Sequence, residues 1–401
     1  MATDWKAVEQ KYYMFCVRRQ PIVIVRGEGT RVWDDEGKEY LDFTAGWAVN
    51  NIGHANPVIA EAIAEQARTL LQTSNQFYTI PQLQLAEVLV ENSCLDKVFF
   101  CNSGAEANEG AIKLVRKYGG LKRNGAYEVI TADNSFHGRT LTTWSATGKN
   151  HEGDPFQPLP TGFAHVPYDD VEAIKAATTD RTVAVMLEPV QGEAGVNLPS
   201  PRYLEQVRRW CDDTGLLLVF DEVQTGLGRL GTLFGYEAFG VEPDVMTLAK
   251  GLGGGVPIGA FLAKDHASVF EPKSEHGSTF GGNALTCAAA NASTRYMIDN
   301  DVPGNARRMG DYLRAGLKRL RDSSSVVTEV RGMGLLWAVE FDSEISAATL
   351  TACNEACLLL NAPKPTAVRL MPPLTVTRDE IDIALKRLET GIGAAAKASA
   401  A

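Results

Sequence analysis

No apolar stretch in the chain approaches the ~18–20 residues that cross a bilayer, so a membrane-spanning helix is not expected. No basic tract is dense enough to follow a phosphate backbone. A net charge of −10 argues further against nucleic acid as a partner. The amino terminus, MATDWKAVEQKYY, has an acid early and no apolar block, which does not read as a secretory leader. Cysteine is scarce, with seven residues scattered through 401, an odd number in a chain long enough to build a core without staples. Cys353 and Cys357 have no second Cys/His pair beside them, so no metal site is expected. Internal repeats and long low-complexity linkers are also missing. What remains is a soluble, cytosolic globular chain with reduced thiols.

The most unusual stretch is Asp244-Val-Met-Thr-Leu-Ala-Lys250-Gly-Leu-Gly-Gly-Gly255, which places one lysine at the end of a short apolar run and follows it with glycines. A lysine at the inner end of a buried segment must be paired, neutral or covalently used. A neutral lysine amine is the nucleophile that condenses with a carbonyl. On this stretch alone, a structural cap followed by a plain loop reads equally well. Two further stretches weigh against that. Leu216–Phe220 is a continuous apolar run ending in Asp221-Glu-Val-Gln224, and ligands of parallel sheets sit beyond the carboxyl ends of strands. Val98–Cys101 leads through Asn102-Ser-Gly-Ala-Glu-Ala-Asn108 into a helical pattern, and a helix start of this kind suits an anion. A lysine for an aldehyde, a carboxylate for a pyridinium nitrogen and a helix start for a phosphate are the anchors that pyridoxal phosphate requires.

Residues 1–20 read as a helix, followed by short strands at Ile22–Val25, Arg31–Trp33 and Glu39–Phe43 in a small meander. Helices follow from about Val58 to Leu70 and from Pro81 through Glu91; His54 reads as a turn-stabilising or capping residue. From Lys97, apolar strands alternate with amphipathic helices, the pattern of an α/β fold with a mostly parallel sheet covered on both faces. Its strands are expected at Lys97–Cys101, Tyr127–Thr131, Thr182–Leu187, Leu216–Phe220, Val245–Leu248 and Ile258–Ala263. A large domain is expected over 55–295, with a small α+β domain assembled from 1–54 and 296–401. The latter holds a long helix over Ala306–Arg321, a strand pair around Val326–Val330 and Leu335–Phe341, and a helix from Arg378. The Ala/Gly-rich end, Gly391–Ala401, is expected to fray.

The runs Phe99–Asn108, Ser135-Phe-His-Gly-Arg-Thr140, Glu188-Pro-Val-Gln-Gly-Glu-Ala-Gly195, Phe220–Arg229, Leu248–Gly259, His276-Gly-Ser-Thr-Phe-Gly-Gly-Asn283 and Val368-Arg-Leu-Met-Pro-Pro373 together resemble the class III aminotransferases of the fold-type-I pyridoxal-phosphate enzymes. The resemblance spans roughly 20–385. Within the family the acetylornithine aminotransferases look closest and the ornithine aminotransferases next.

The resemblance implies that Lys250 holds the cofactor covalently and that Asp221 keeps its ring nitrogen protonated. It implies a phosphate cradle of Ser103, Gly104 and Ala105, with Thr279 reaching the phosphate from the partner of a homodimer. Phe136 and Val223 would flank the ring, with Gln224 at its phenolic oxygen and Glu222 also among the cofactor residues. For substrate, Arg139 and nearby Ser278 would hold the α-carboxylate of an acylated ornithine, and Arg369 that of glutamate. A guanidinium suits both, gripping a carboxylate by two parallel hydrogen bonds. Glu193 would pair with Arg369 and swing aside when glutamate enters. The reaction implied is transfer of the terminal amino group of N2-acetyl-L-ornithine to 2-oxoglutarate.

Some positions depart from that subgroup. Trp47 stands where a smaller aliphatic residue is usual, Cys16–Arg19 replaces a Thr- and aromatic-containing segment, Ala194 is more like the ornithine enzymes, and Asn283-Ala284 lacks a common proline. An indole near the entrance would trim substrate size, although core packing is the simpler role for it. Rival readings are a succinylornithine, ornithine, aminoadipate-derived or 4-aminobutyrate aminotransferase, a glutamate-semialdehyde aminomutase, and a non-catalytic binding paralogue. A nucleotide-binding loop is disfavoured because the glycines lack a Gly-Lys-Ser/Thr ending.

Overall fold

The computed structural model describes residues 3–400. Near the amino end, β1 (Ile24–Glu28), β2 (Arg31–Asp34) and β3 (Glu39–Asp42) form the antiparallel meander. The preceding helix is shorter than expected, covering only Trp5–Tyr12, and buries no residue. With no face against the core, it rests on local contacts: Asp4 accepts the Lys6 and Ala7 N–H groups at 3.1 Å, and Arg19 pairs with Glu9 at 3.0 Å.

The central sheet comprises β4 (Lys97–Cys101), β5 (Glu128–Ala132), β6 (Phe163–Val166), β7 (Thr182–Leu187), β8 (Leu217–Asp221), β9 (Val245–Leu248) and β10 (Gly259–Ala263). Its spatial order is β4-β10-β9-β8-β7-β5-β6. The pairs from β9 to β6 are parallel, and β10 runs against both of its neighbours. Every residue of β7 and β8 is buried. Alternation divides them between two cores. Val185, Leu187, Leu218 and Phe220 pack on one face, and Ala184, Met186, Leu217 and Val219 on the other, which is why these strands read as unbroken apolar runs.

Beyond this sheet, β11 (Val327–Met333), β12 (Leu336–Phe341), β14 (Asn361–Lys364) and β15 (Ala367–Leu370) make an antiparallel sheet in the order β11-β12-β15-β14. The short β13 (Leu358–Leu359) pairs in parallel with β3, so segments from both ends of the chain share one sheet. The last helix does not fray at Gly391 but continues from Arg378 to Ala400. It is held by burial of Ile392 and Ala395, and Gly391 lies close against Cys353.

One local feature was not expected. Ala45, Gly46, Trp47 and Ala48 all have positive φ (46°, 62°, 64° and 61°), making a single left-handed turn. Left-handed geometry costs an L-residue roughly 1–2 kcal/mol, so the turn needs a clamp. Asp42 supplies it. One carboxylate oxygen accepts the Thr44 N–H (2.8 Å), the Thr44 hydroxyl (2.6 Å) and the Ala45 N–H (3.0 Å), while the other bonds His54 Nε2 at 2.7 Å.

Candidate active site

Asp221 ends β8 at the carboxyl edge of the central sheet and is buried there. Its Oδ1 accepts the Val223 N–H at 3.0 Å, and its Oδ2 meets Asn108 Nδ2 at 2.7 Å and His137 Nδ1 at 2.8 Å. Asn108 is itself oriented, because it accepts from Thr247 Oγ1 at 2.7 Å and donates to the His137 carbonyl at 2.7 Å. The carboxylate is therefore fixed in place by three hydrogen bonds.

Lys250 follows β9 and opens a short 3₁₀ turn at φ +43°, a conformation its side chain makes costly and its surroundings must enforce. Among the described residues its ammonium donates no hydrogen bond to the protein. Burial holds the amine below its ordinary range, with the nearby Glu193 carboxylate opposing the shift. Glu188, directly after β7, lies beside this pair. Burial pushes its carboxyl up to about 7, even though it accepts the Phe136 N–H at 2.9 Å and the Gly192 N–H at 3.1 Å.

At the third corner stands the N-terminus of the helix Gly104–Lys122, capped by Ser103, whose hydroxyl accepts the Glu106 N–H at 3.2 Å. The amides of Gly104 and Ala105 keep no partner in the protein, which leaves two donors and the positive end of the helix for an anion. Gly104 is required by packing as well. A Cβ there would sit 2.8 Å from one Val223 methyl and 3.0 Å from the other.

These groups line one cavity of about 690 Å³. Lys250, Asp221, Ser103, Gly104, Ala105, Phe136, Val223, Gln224, Arg139 and Glu193 all face it, as does Trp47. Trp47 is 51% exposed on the left-handed turn, so it belongs to the cavity rim and not to the core. Arg139 is exposed and forms no ion pair among the described residues; its guanidinium carbon lies 5.9 Å from the Phe136 ring centre. Arg369 is fully buried just behind the wall. It donates to the Gly192 carbonyl (2.8 Å) and Gln224 Oε1 (3.0 Å), and pairs with Glu193 at 2.9 Å. Its Nη2 has no partner, a donor in reserve.

Three expected residues lie elsewhere. Glu222 turns away from the cavity, as alternation along an extended segment requires of the residue after Asp221. Its buried carboxyl instead accepts the Gly235 N–H and, at 2.6 Å, the Tyr236 N–H, and burial pushes it up to about 8. Ser278 touches the site only through Asn102, whose Nδ2 is 3.2 Å from its hydroxyl. Thr279 is exposed outside the cavity of its own chain, with its carbonyl accepting from Gln72 at 2.7 Å. Conversely, Asn108, His137 and Glu188 were not singled out in the sequence. Asn108 follows Gly104 by one helical turn on the same face, and Glu188 directly follows the strand beside β8, so the rule that located Asp221 applied to it too.

The donor set fits pyridoxal phosphate: paired free amides for a phosphate, a fixed carboxylate for a ring nitrogen, and a lysine without a partner between them. The chain belongs to the class III aminotransferases, the family described as "Aminotransferase class-III", whose pattern it matches over residues 14–392. Its enzymes are transaminases. Over 382 residues the chain is 50% identical to the acetylornithine aminotransferase of Caldanaerobacter subterraneus subsp. tengcongensis, covering 95% of this chain and 97% of that protein. The crystal structure of the ornithine aminotransferase from Toxoplasma gondii ME49 superposes with a TM-score of 0.95 at 34% identity, covering 99% of this chain and 97% of that one. The N-acetylornithine aminotransferase from Stenotrophomonas maltophilia K279a gives 0.84 at 38% identity, with coverage of 98% and 99%.

Proposed function

We propose that the protein is a pyridoxal-phosphate-dependent transaminase that moves the terminal amino group of N2-acetyl-L-ornithine to 2-oxoglutarate, giving N-acetyl-L-glutamate 5-semialdehyde and L-glutamate, a step of arginine biosynthesis. The observation that carries this reading is the placement of two arginines at different depths around one lysine. Arg139 stands unpaired at the mouth, and Arg369 is buried behind a displaceable acid. A donor whose amine is far from its carboxylate and an acceptor with both groups on neighbouring carbons need two carboxylate positions.

When bound, the cofactor supplies an electron sink for the pair left behind as a proton leaves the carbon bearing the amine. Lys250 would hold it covalently and, once released, would take that proton; burial lowers its basicity, which favours the neutral amine that this role needs. Asp221 secures the ring nitrogen, and the Gly104 and Ala105 amides with Ser103 hold the phosphate. Phe136 and Val223, which line the same cavity, would flank the ring, and Gln224 would serve its oxygen. Arg139 takes the donor carboxylate and Arg369 the glutamate carboxylate.

We extend the reading to a homodimer in which Thr279 serves the partner's cavity. Phe77, Tyr78 and Ile80 are exposed, as is Phe280 next to Thr279, and the Asn75 amide ties the two stretches together through the Ser278 carbonyl at 2.9 Å. A panel of amino donors with 2-oxoglutarate, ranked by kcat/KM, tests the function. N2-acetylornithine should lead. Ornithine is the reading that the indole of Trp47 at the mouth favours, and its ranking first would replace the proposal. Turnover without any keto acid would indicate an aminomutase.

A further inference from the structure

Arg229 is fully buried, yet it faces no carboxylate. Its Nη1 donates to the Leu335 carbonyl (2.9 Å) and the Pro372 carbonyl (2.7 Å), its Nη2 to Asn51 Oδ1 (2.7 Å), and its Nε to nothing. A cation buried among neutral oxygens is expensive, and apolar side chains would join the same segments at lower cost. Burial alone pushes this guanidinium down to about 9. What an apolar residue cannot do is fix the orientation of an amide.

Asn51 is the amide so fixed. With its Oδ1 committed to Arg229, its Nδ2 donates to the Leu227 carbonyl at 2.7 Å, and a flip would set two donors against each other. Its main chain is pinned as well, because the Asn51 carbonyl accepts the Leu374 N–H at 2.7 Å. The face of this amide presses on Gly251, where a Cβ would lie 2.2 Å from Nδ2 and 2.8 Å from Cγ. Gly251 is joined directly to Lys250, the residue held at positive φ.

We propose, resting on the transaminase reading, that Arg229 is a positioning residue for Lys250. It locks the Asn51 carboxamide, which backs the Lys250–Gly251 turn and keeps the lysine in its costly conformation over the cavity. The charges that weigh most on the Lys250 amine are Glu193, Arg369, Asp221 and Glu188, while Arg229 donates only to the Leu335 and Pro372 carbonyls and Asn51. The path from Arg229 to Lys250 runs through the Asn51 amide and Gly251, so Asn51→Ala, which keeps the charge, tests it separately from charge loss.

The test compares the protein loaded with pyridoxal phosphate as wild type, Arg229→Met, Arg229→Lys and Asn51→Ala. It reads the pH midpoint of the visible absorbance, kcat, KM for 2-oxoglutarate, and Tm. Loosening the turn admits water, which favours the charged form, so the midpoint in Arg229→Met should rise by about half a unit or more. Its kcat should fall by about tenfold or more, as misplacement of a reacting group does, with KM little changed. Asn51→Ala should reproduce both effects with Arg229 intact, and Arg229→Lys should recover part of each. Should Arg229→Met not fold, the other two variants decide. Variants that lower Tm but keep the wild-type midpoint and kcat reduce Arg229 to a structural tie and overturn the inference alone. A wild type that takes up no cofactor and shows no transamination overturns both the inference and the function beneath it.

Discussion

Glu193 and Arg369 form an ion pair of 2.9 Å in which the arginine side chain is wholly buried and the acid is 37% exposed. The two partners are not equally free. Arg369 is tied to the Gly192 carbonyl, Gln224 and Asn361, whereas Glu193 keeps a path to solvent and only Gln224 besides the arginine. Burial would raise the Glu193 carboxyl, but Arg369 and Lys250 outweigh it and hold the acid below its ordinary value. The movable partner is thus the acid. Glu193→Ala should leave the glutamate half-reaction intact or faster. It should also improve donors that present an α-amine by about tenfold relative to N2-acetylornithine, the worth of one charge-assisted hydrogen bond of ~1.5 kcal/mol. Stopped-flow half-reactions measure the ratio, and an unchanged ratio would remove the switch.

Lys250→Ala should still take up pyridoxal phosphate, since the helix amides and Asp221 remain, while turnover drops by at least about a thousandfold for want of the proton-transferring amine. Equilibrium dialysis and a coupled glutamate assay separate the two quantities. Appreciable transamination by this variant would refute the role given to the lysine.

Gly104→Ala places a methyl carbon 2.8 Å from Val223. Overpacking of this kind costs roughly 1–3 kcal/mol, so cofactor affinity should weaken by about tenfold or more. Val223→Ala in the same chain clears the space, and the double variant should regain most of the loss. Failure of the second change to help would show that the phosphate end is set by something other than this contact.

Stability should carry the mark of Glu222. Its ordinary value is 4.5, and burial raises it to about 8 in the fold, so the native state keeps a proton that the unfolded chain gives up. The stabilisation is complete below about 4.5, falls as pH climbs, and is gone above about 8. Glu222→Gln cannot ionise. Its amide nitrogen faces one of the two backbone N–H groups, so it should be the less stable protein in acid, with the gap closing toward pH 8 in denaturant titrations. Parallel pH profiles for the two proteins would count against burial as the governing influence at this site.

The central sheet was legible because its strands obey the simplest rule available. Thr182–Leu187 and Val245–Leu248 are dominated by apolar residues, are buried throughout and lie where they were expected. The lysine, the aspartate and the helix start were legible for a related reason, since each ends or begins an element whose pattern is visible in the letters. Residues that act through a partner were not. His137 is placed by Asp221, and Arg229 by carbonyls from two distant segments, relationships that no local spacing encodes. Glu222 shows the opposite error, in which adjacency in sequence was taken for adjacency in the site. The left-handed turn at Trp47 escaped because alanine gives no warning of positive φ, and the Asp42 clamp that allows it is made by tertiary contacts.

The reversed direction of β10 has a consequence for how the reactive amine gets into place. Because β9 and β10 are an antiparallel pair, with Leu248 opposite Ala260, the chain that carries Lys250 leaves the sheet and returns to it as a single hairpin. Contacts so near in sequence close quickly and with little loss of chain freedom. Local chain closure therefore delivers Lys250 to the sheet edge, and the docking of Asn51 against Gly251 from a distant segment completes its turn.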